Sequence, residues 1–403
     1  MTMVLTPTPV RANTGAGGIA CESDSIQTVP LSEERSFAYW QQDIPQEYWQ
    51  LEPAELTARI RAAREQLGTR LVILGHHYQR EDIIQFADFR GDSFKLSQWA
   101  AGQPESEYIV FCGVHFMAEA ADILSAPHQR VILPNMAAGC SMADMADPDD
   151  VYNAWAEMDE LGIAQDTLPI TYMNSAASLK AFVGERGGAV CTSSNARKVL
   201  EWAFAQKKRV LFFPDQHLGR NTGYAMGVPL DEMVLWGWAR PYGSMGGQTL
   251  EALQRSRIIL WAGHCSVHQR FTPKQIVAAR EAHPDVTVIV HPECRLETVQ
   301  ASDLNGSTEF IARTISEAPA GSTFAVGTEI NLVSRLAKEN PEKTVFCLDP
   351  VVCPCSTMYR VHPAYLAWTL ESLAAGRVVN EIVVNDDVKR GARLALDRML
   401  AIK

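Results

Sequence analysis

Three times along this chain an apolar strand ends in a polar pair, and a hydroxyl residue follows at the start of a helix. His76 to Ser93, Tyr172 to Ser193 and His291 to Thr308 are 17, 21 and 17 residues apart. The strands leading in are Arg70–Gly75, Pro169–Thr171 and Val286–Val290, runs of the kind buried in parallel sheets. A further strand begins roughly 15 residues after each hydroxyl, near Tyr108, Arg209 and Thr323. Strands alternating with helices imply parallel sheets joined by right-handed crossovers. A true internal repeat would restrict the chain to several similar α/β units. One long doubly wound domain with coincidental spacing is the competing reading, because βαβ periods look alike.

Cysteines punctuate the same rhythm. Cys140, Cys265 and Cys355 each follow a strand and precede a helix, in α/β folds the usual place for ligands. Cys140 precedes Tyr172 by 32 residues and Cys265 precedes His291 by 26. The first unit has no such cysteine upstream, so the C-terminal segment carrying Cys355 is expected to fold back and complete it. Three thiolates from three units suggest one metal centre. Structural zinc takes four ligands in short C-x2-C pairs, which are missing here. A [4Fe–4S] cluster with three cysteine ligands and one open iron fits better. Cys353 competes with Cys355 for the third position. Cys112, Cys191, Cys294 and Cys347 lie in or beside apolar strands and read as buried thiols, and Cys21 as a bystander.

The polar strand ends carry the candidate chemistry. His76 and Tyr78 point the same way from an extended segment, and so do His291 and Glu293. Such pairs supply general acids and bases beside an open iron. Ser93, Ser193 and Thr308 offer hydroxyls and free N–H groups suited to carboxylate or phosphate oxygens; plain helix capping is the alternative for any one of them. Asn135, Asn174 and Asn195 add amides near the same ends.

The expected divisions are a disordered or loosely docked extension over 1–44, a first α/β domain of 45–128 plus 344–403, a second of 129–256 and a third of 257–343. Tyr48 and Trp49 are expected to dock on the body, and Pro53 to Gly68 to form a helix. Residues 218–256 interrupt the rhythm and read as a lid, a dimer contact or a plain surface excursion. A net charge of −11 argues against broad nucleic-acid binding. No apolar run reaches membrane-spanning length, and no secretory signal is read at the start. Nine cysteines without tight pairing fit a reducing, cytoplasmic setting.

Taken together, Gly75-His-His-Tyr-Gln79, Gly91-Asp-Ser93, Ala138-Gly-Cys140-Ser, Tyr172-Met-Asn-Ser175, Thr192-Ser-Ser194, Pro214-Asp-Gln-His-Leu-Gly219, Gly263-His-Cys265-Ser-Val-His268, His291-Pro-Glu293 and Gly306-Ser-Thr308 resemble the quinolinate synthase family from about residue 50 onward. The resemblance implies three pseudo-threefold-related αβα sandwich domains with short parallel sheets and an active site at their central junction. It implies a transferase of NAD biosynthesis that condenses iminosuccinate with dihydroxyacetone phosphate to quinolinate, phosphate and water, with a functional link to L-aspartate oxidase. It implies Cys140, Cys265 and Cys355 as ligands of a [4Fe–4S] cluster. His76, Ser93, Tyr172, Asn174, Ser193, His291, Glu293 and Thr308 match the family's substrate-binding positions, and Tyr78 a tyrosine implicated in the chemistry. The chain departs from some members in having Cys353-Pro-Cys355 instead of C-x-x-C-x-x-C, and in a longer 218–256 segment. Another iron–sulfur hydro-lyase acting on a hydroxy acid, and a zinc-stabilised binding protein, are the rival readings.

Overall fold

A computed structural model describes residues 43–102, 105–351 and 354–402. Fourteen strands are assigned among them: β1 Leu71–His76, β2 Phe89–Gly91, β3 Tyr108–Cys112, β4 Arg130–Ile132, β5 Thr167–Tyr172, β6 Ala189–Cys191, β7 Arg209–Phe213, β8 Met233–Trp236, β9 Ile258–Trp261, β10 Thr287–Val290, β11 Leu304–Asn305, β12 Thr323–Gly327, β13 Thr344–Cys347 and β14 Glu381–Ile382. They form three sheets, in the orders β14-β4-β3-β1-β2, β6-β5-β7-β9-β8 and β11-β10-β12-β13. All pairings are parallel except β14 with β4. Stripped of β14 and β8, each sheet runs second, first, third, fourth in chain order. The molecule is therefore an α/β protein of three short sheets with one repeated topology, as the spacing of polar strand ends implies.

That topology positions the site. In each sheet the first strand lies between the second and the third, so the chain leaves it to one side and later crosses to the other. The crevice for a ligand opens at the carboxyl end of such a strand. His76 and Tyr172 end β1 and β5, and His291 follows β10. The central strands are apolar because both faces are covered: every residue of β1, β3, β5 and β7 is buried. In the third sheet the two-residue period is visible directly. Val288, Val290 and Ala325 pack into one apolar cluster, while Ile289, Phe324 and Val326 pack into another.

Several expectations are corrected by the strand order. Strands β4, β9 and β13 pair with β3, β7 and β12, so the strand before each cysteine closes the preceding sheet. The expected boundaries at 129, 257 and 344 put these strands at the opening of the next unit instead. Hydrophobic periodicity identifies a strand but not the sheet it joins. The C-terminal segment does return to the first sheet through β14, and its helix Pro363–Ala374 packs on the helix Pro53–Leu67. Its last helix, Asp386–Ala401, instead lies against Ala177–Glu185 of the second unit. The 218–256 segment adds β8 to the edge of the second sheet and places no residue on the central cavity. Tyr242 there donates to Glu160 at 2.7 Å, and Gly246, with φ +58°, lets the chain close against the Trp236 ring.

Two close approaches hold outlying helices. Tyr48 is buried as expected and donates to the Glu371 carboxylate, which also takes Arg59 Nε at 2.7 Å and Nη2 at 2.6 Å. Of the extension expected over 1–44, only Asp43 and Ile44 fall within the described residues, and Ile44 is buried; Cys21 lies outside them. The helix Asp386–Ala401 approaches Ala177–Glu185 so closely that a methyl group on Gly184 would sit 2.0 Å from the Gly391 carbonyl oxygen. Gly184→Ala is expected to lower stability by about 1–3 kcal/mol through overpacking, read as a lower denaturant midpoint at unchanged slope. Among the described residues no helix is long and apolar enough to cross a membrane.

Candidate active site

One cavity gathers the carboxyl ends of all three sheets. His76, Tyr78, Ser93, Cys140, Tyr172, Asn174, Ser193, Cys265, His291, Glu293, Thr308 and Cys355 all line it. These twelve candidates for binding, proton transfer or metal ligation are thus brought together. Cys353 lies outside the described residues.

The three cysteine loops are built alike. Each cysteine carbonyl accepts the backbone N–H four residues on, from Asp144 at 3.0 Å, Gln269 at 3.1 Å and Tyr359 at 2.9 Å. A proline then starts a helix eight residues after each cysteine, at Pro148, Pro273 and Pro363. This cysteine-to-proline interval is a sequence signal that strand periodicity overlooks. The backbone N–H three residues on, of Ala143, His268 or Met358, faces each thiol and favours its anion. Burial outweighs this and pushes all three thiols up, Cys140 to about 12; the Cys355 charge also raises Cys140 and Cys265, and the Cys140 charge raises Cys265. The described cysteines are all free, and Cys112, Cys191 and Cys294 are fully buried in apolar surroundings.

The strand-end pairs share a second device. His76 Nδ1 accepts the backbone N–H of Tyr78 at 3.1 Å, and His291 Nδ1 accepts that of Glu293 at 3.3 Å. Burial pushes both imidazoles below their ordinary range. A neutral ring whose Nδ1 accepts carries its proton on Nε2, so both present a donor. Tyr172 and Asn174 hold the same two places in the second sheet. The Asn174 amide faces Cys140 Sγ at 3.9 Å.

Glu293 is the charged centre. Its Oε1 accepts from Tyr172 Oη at 2.7 Å and its Oε2 lies 2.7 Å from His268 Nδ1. Burial opposes ionisation, but the adjoining His291 and His268 rings and these contacts outweigh it, holding the carboxyl below its usual range. The far edge of His268 continues the chain, with Nε2 3.1 Å from Thr328 Oγ1 and 3.4 Å from Tyr78 Oη. Tyr78 Oη is in turn 2.7 Å from Thr328 Oγ1. Burial, with the Glu293 charge, pushes both Tyr78 and Tyr172 well above the ordinary phenol range, so both stay protonated. Sequence reasoning does not single out His268 or Thr328. His268 is three residues past Cys265, a spacing that could flag it. Thr328 has no local signal, since its partner Tyr78 is 250 residues away.

The helix-start hydroxyls are not caps. Asp92 caps the helix Ser93–Ala101 through Lys95 N at 2.9 Å, and Ser307 caps Thr308–Glu317. Ser193 precedes its helix by three residues, and Asn195 turns back to accept the backbone N–H of Thr192 at 2.7 Å. Thr308 Oγ1 is fully buried without a hydrogen-bond partner. A buried hydroxyl left unpaired costs free energy unless a ligand satisfies it. Asn135 is occupied elsewhere, donating to the Arg360 carbonyl at 2.9 Å; it and Asn195 do not line the cavity.

The donor set suits a soft metal centre. Among the described residues no lysine or arginine lines the cavity, yet it holds three thiols and an ionised carboxylate. Thiolates in such surroundings require a bound cation. Cys265, His268 and Glu293 also bring ligand atoms within 4.8 Å of one another.

A buried carboxylate–imidazole pair beside three thiols, ringed by neutral donors at three strand ends, defines an α/β enzyme built around a thiol-bound centre. The family described as NadA, quinolinate synthetase A protein, matches residues 58–401. The quinolinate synthase of Corynebacterium glutamicum is 59% identical over 362 residues, covering 90% of this chain and 91% of that protein. Those of Acidobacterium capsulatum and Streptomyces coelicolor are each 54% identical, covering 88% and 86% of this chain and 95% and 88% of their own. The chain belongs to the quinolinate synthetase A family, and that membership implies an iron–sulfur centre in general.

Proposed function

We propose that this enzyme is a quinolinate synthase, a transferase that condenses iminosuccinate with dihydroxyacetone phosphate to quinolinate, phosphate and water, in the cytoplasm and functionally linked to L-aspartate oxidase. The observation that carries the reading is the convergence of three single thiols and three strand-end pairs on one cavity. We assign Cys140, Cys265 and Cys355 as ligands of a [4Fe–4S] cluster. When bound, the cluster supplies a Lewis-acid iron at the position that no cysteine fills. We divide the chain into three domains after the sheets, with the cysteine loops as connections.

The remaining work falls to neutral donors and one base. The carboxylates of iminosuccinate accept from Ser93, Ser193 and Thr308, and from His76 Nε2 and His291 Nε2. The N-termini of the helices Ser93–Ala101 and Thr308–Glu317 add to their attraction. Glu293 holds His268 with its proton on Nδ1, leaving Nε2 as an acceptor that can take a proton through the Tyr78 and Thr328 hydroxyls. Tyr172 and Tyr78, kept protonated by burial, donate to oxygens as phosphate and water leave. Apolar walls from Val114, Phe116 and Met117 limit water around the reactive imine.

The test is an anaerobic assay of cluster-loaded enzyme with iminosuccinate, with and without dihydroxyacetone phosphate. Quinolinate should form only with both. Dehydration of a hydroxy acid without the triose phosphate would establish the hydro-lyase instead. A narrower test concerns Thr308. Thr308→Val should raise the KM for iminosuccinate about tenfold or more, a charge-assisted hydrogen bond being lost. Its thermal stability should hold or rise, because an orphaned hydroxyl is removed. An unchanged KM would take Thr308 out of the binding site.

A further inference from the structure

Away from the central cavity, a second cleft lies between the helix Gln216–Ala225 and the loops that follow Gly263 and Glu293. His217, Arg220, His264, Gln269, Arg295 and Glu297 line it. On a chain of net charge −11 this is a local concentration of cations. Among the described residues neither Arg220 nor Arg295 has a carboxylate within ion-pair distance. Among the described residues Glu297 at the rim is the one acid lining the cleft.

The hydrogen bonds leave donors over. Arg220 Nη1 and Nη2 each reach Gln216 Oε1 at 3.3 Å, at the long end of hydrogen-bond range. Arg220 Nη1 also lies 3.5 Å from His217 Nδ1, which leaves His217 Nε2 as the protonated edge. Arg295 Nε donates to Gln269 Oε1 at 2.8 Å, which fixes that amide and leaves Gln269 Nε2 buried without a partner. Burial and the adjoining guanidiniums of Arg220 and Arg295 push His217 down to about 3, as a field that favours anions would. A half-buried guanidinium, an exposed one and an orphaned amide donor facing one opening are satisfied together by an oxyanion. Donors from four side chains match a tetrahedral anion better than a planar carboxylate, which offers two oxygens.

We propose that this cleft is a second anion site that binds a phosphate group, through Arg220, Arg295, Gln269 Nε2 and His217 Nε2. Its floor is continuous with the active-site loops. Asn221 donates to the carbonyls of Pro292 and Cys294 at 2.8 and 2.7 Å, bracketing Glu293, and Gln216 N donates to the Gly263 carbonyl at 3.0 Å. An occupant would therefore brace the segments that carry Cys265 and Glu293. The proposal does not depend on the identity of the reaction.

Calorimetric titration of cluster-loaded protein with inorganic phosphate, anaerobically and at constant low chloride, tests it. Thr308→Val should leave the cleft's phosphate binding intact. Arg295→Gln, at an exposed position that tolerates change, should weaken it about tenfold or more, and Arg220→Gln should do the same. Succinate should bind the cleft more weakly than phosphate. Absence of phosphate binding, equal affinity in both arginine variants and the parent, or equally tight succinate binding would each overturn the assignment.

Discussion

Glu293→Gln is expected to lower turnover by about three orders of magnitude or more, with the fold and the metal content retained. The carboxylate takes a hydrogen bond from Tyr172 on one oxygen and contacts His268 Nδ1 with the other. An amide can accept on one side only. Its NH2 must face either the Tyr172 hydroxyl, which donates there at present, or the His268 ring, whose Nδ1 lies 2.7 Å from the other oxygen. If it faces His268, the ring moves its proton to Nε2 and no longer accepts from Tyr78 and Thr328. A tautomer inversion of this kind costs about 10⁴ in turnover in a well-studied triad. The measurement is single-turnover quinolinate formation, with iron content and thermal midpoint as controls. Activity within about tenfold of the parent enzyme would remove Glu293 from the proton chemistry, since general acid–base contributions run about 10²–10⁴.

Cys265→Ser should abolish the visible absorbance of the cluster and the activity together. Serine is a hard donor whose hydroxyl stays protonated at neutral pH, so one of three anchoring bonds is lost outright. Cys347→Ser is the matched control. Cys347 is half-buried, packs against the third sheet's core and does not line the cavity. That variant should lose at most about 1–2 kcal/mol of stability and keep its iron and its colour. A colourless but fully active Cys265→Ser enzyme would refute the ligand assignment. Equal loss of iron from both variants would show that the thiols act through stability and not through ligation.

Much of this site is legible in the amino-acid sequence. Apolar strands with polar ends announce themselves because a fully covered strand must be hydrophobic and must stop where it meets the cavity. The intervals of 17, 21 and 17 residues repeat because each first strand returns through a similar loop to a short second strand and a helix. What stays hidden has identifiable causes. His268 sits in a motif whose cysteine carries the obvious signal. The capping residues Asp92 and Ser307 adjoin Ser93 and Thr308, and composition does not say which of two neighbouring polar side chains caps and which faces the cavity. The attachment of β4, β9 and β13 to the preceding sheets turns on edges that parallel pairing leaves open to either side.

Residue order alone therefore specifies the repeated α/β grammar, the polar strand ends and the three lone thiols, because those depend on local periodicity and on neighbours a few positions away. Tertiary packing decides the rest. Glu293 meets Tyr172 across 121 residues, Tyr78 meets Thr328 across 250, and Tyr48 meets Glu371 across 323. Such contacts follow from how three twisted sheets fit against one another, a geometric outcome of side-chain volumes and buried surface summed over the whole chain.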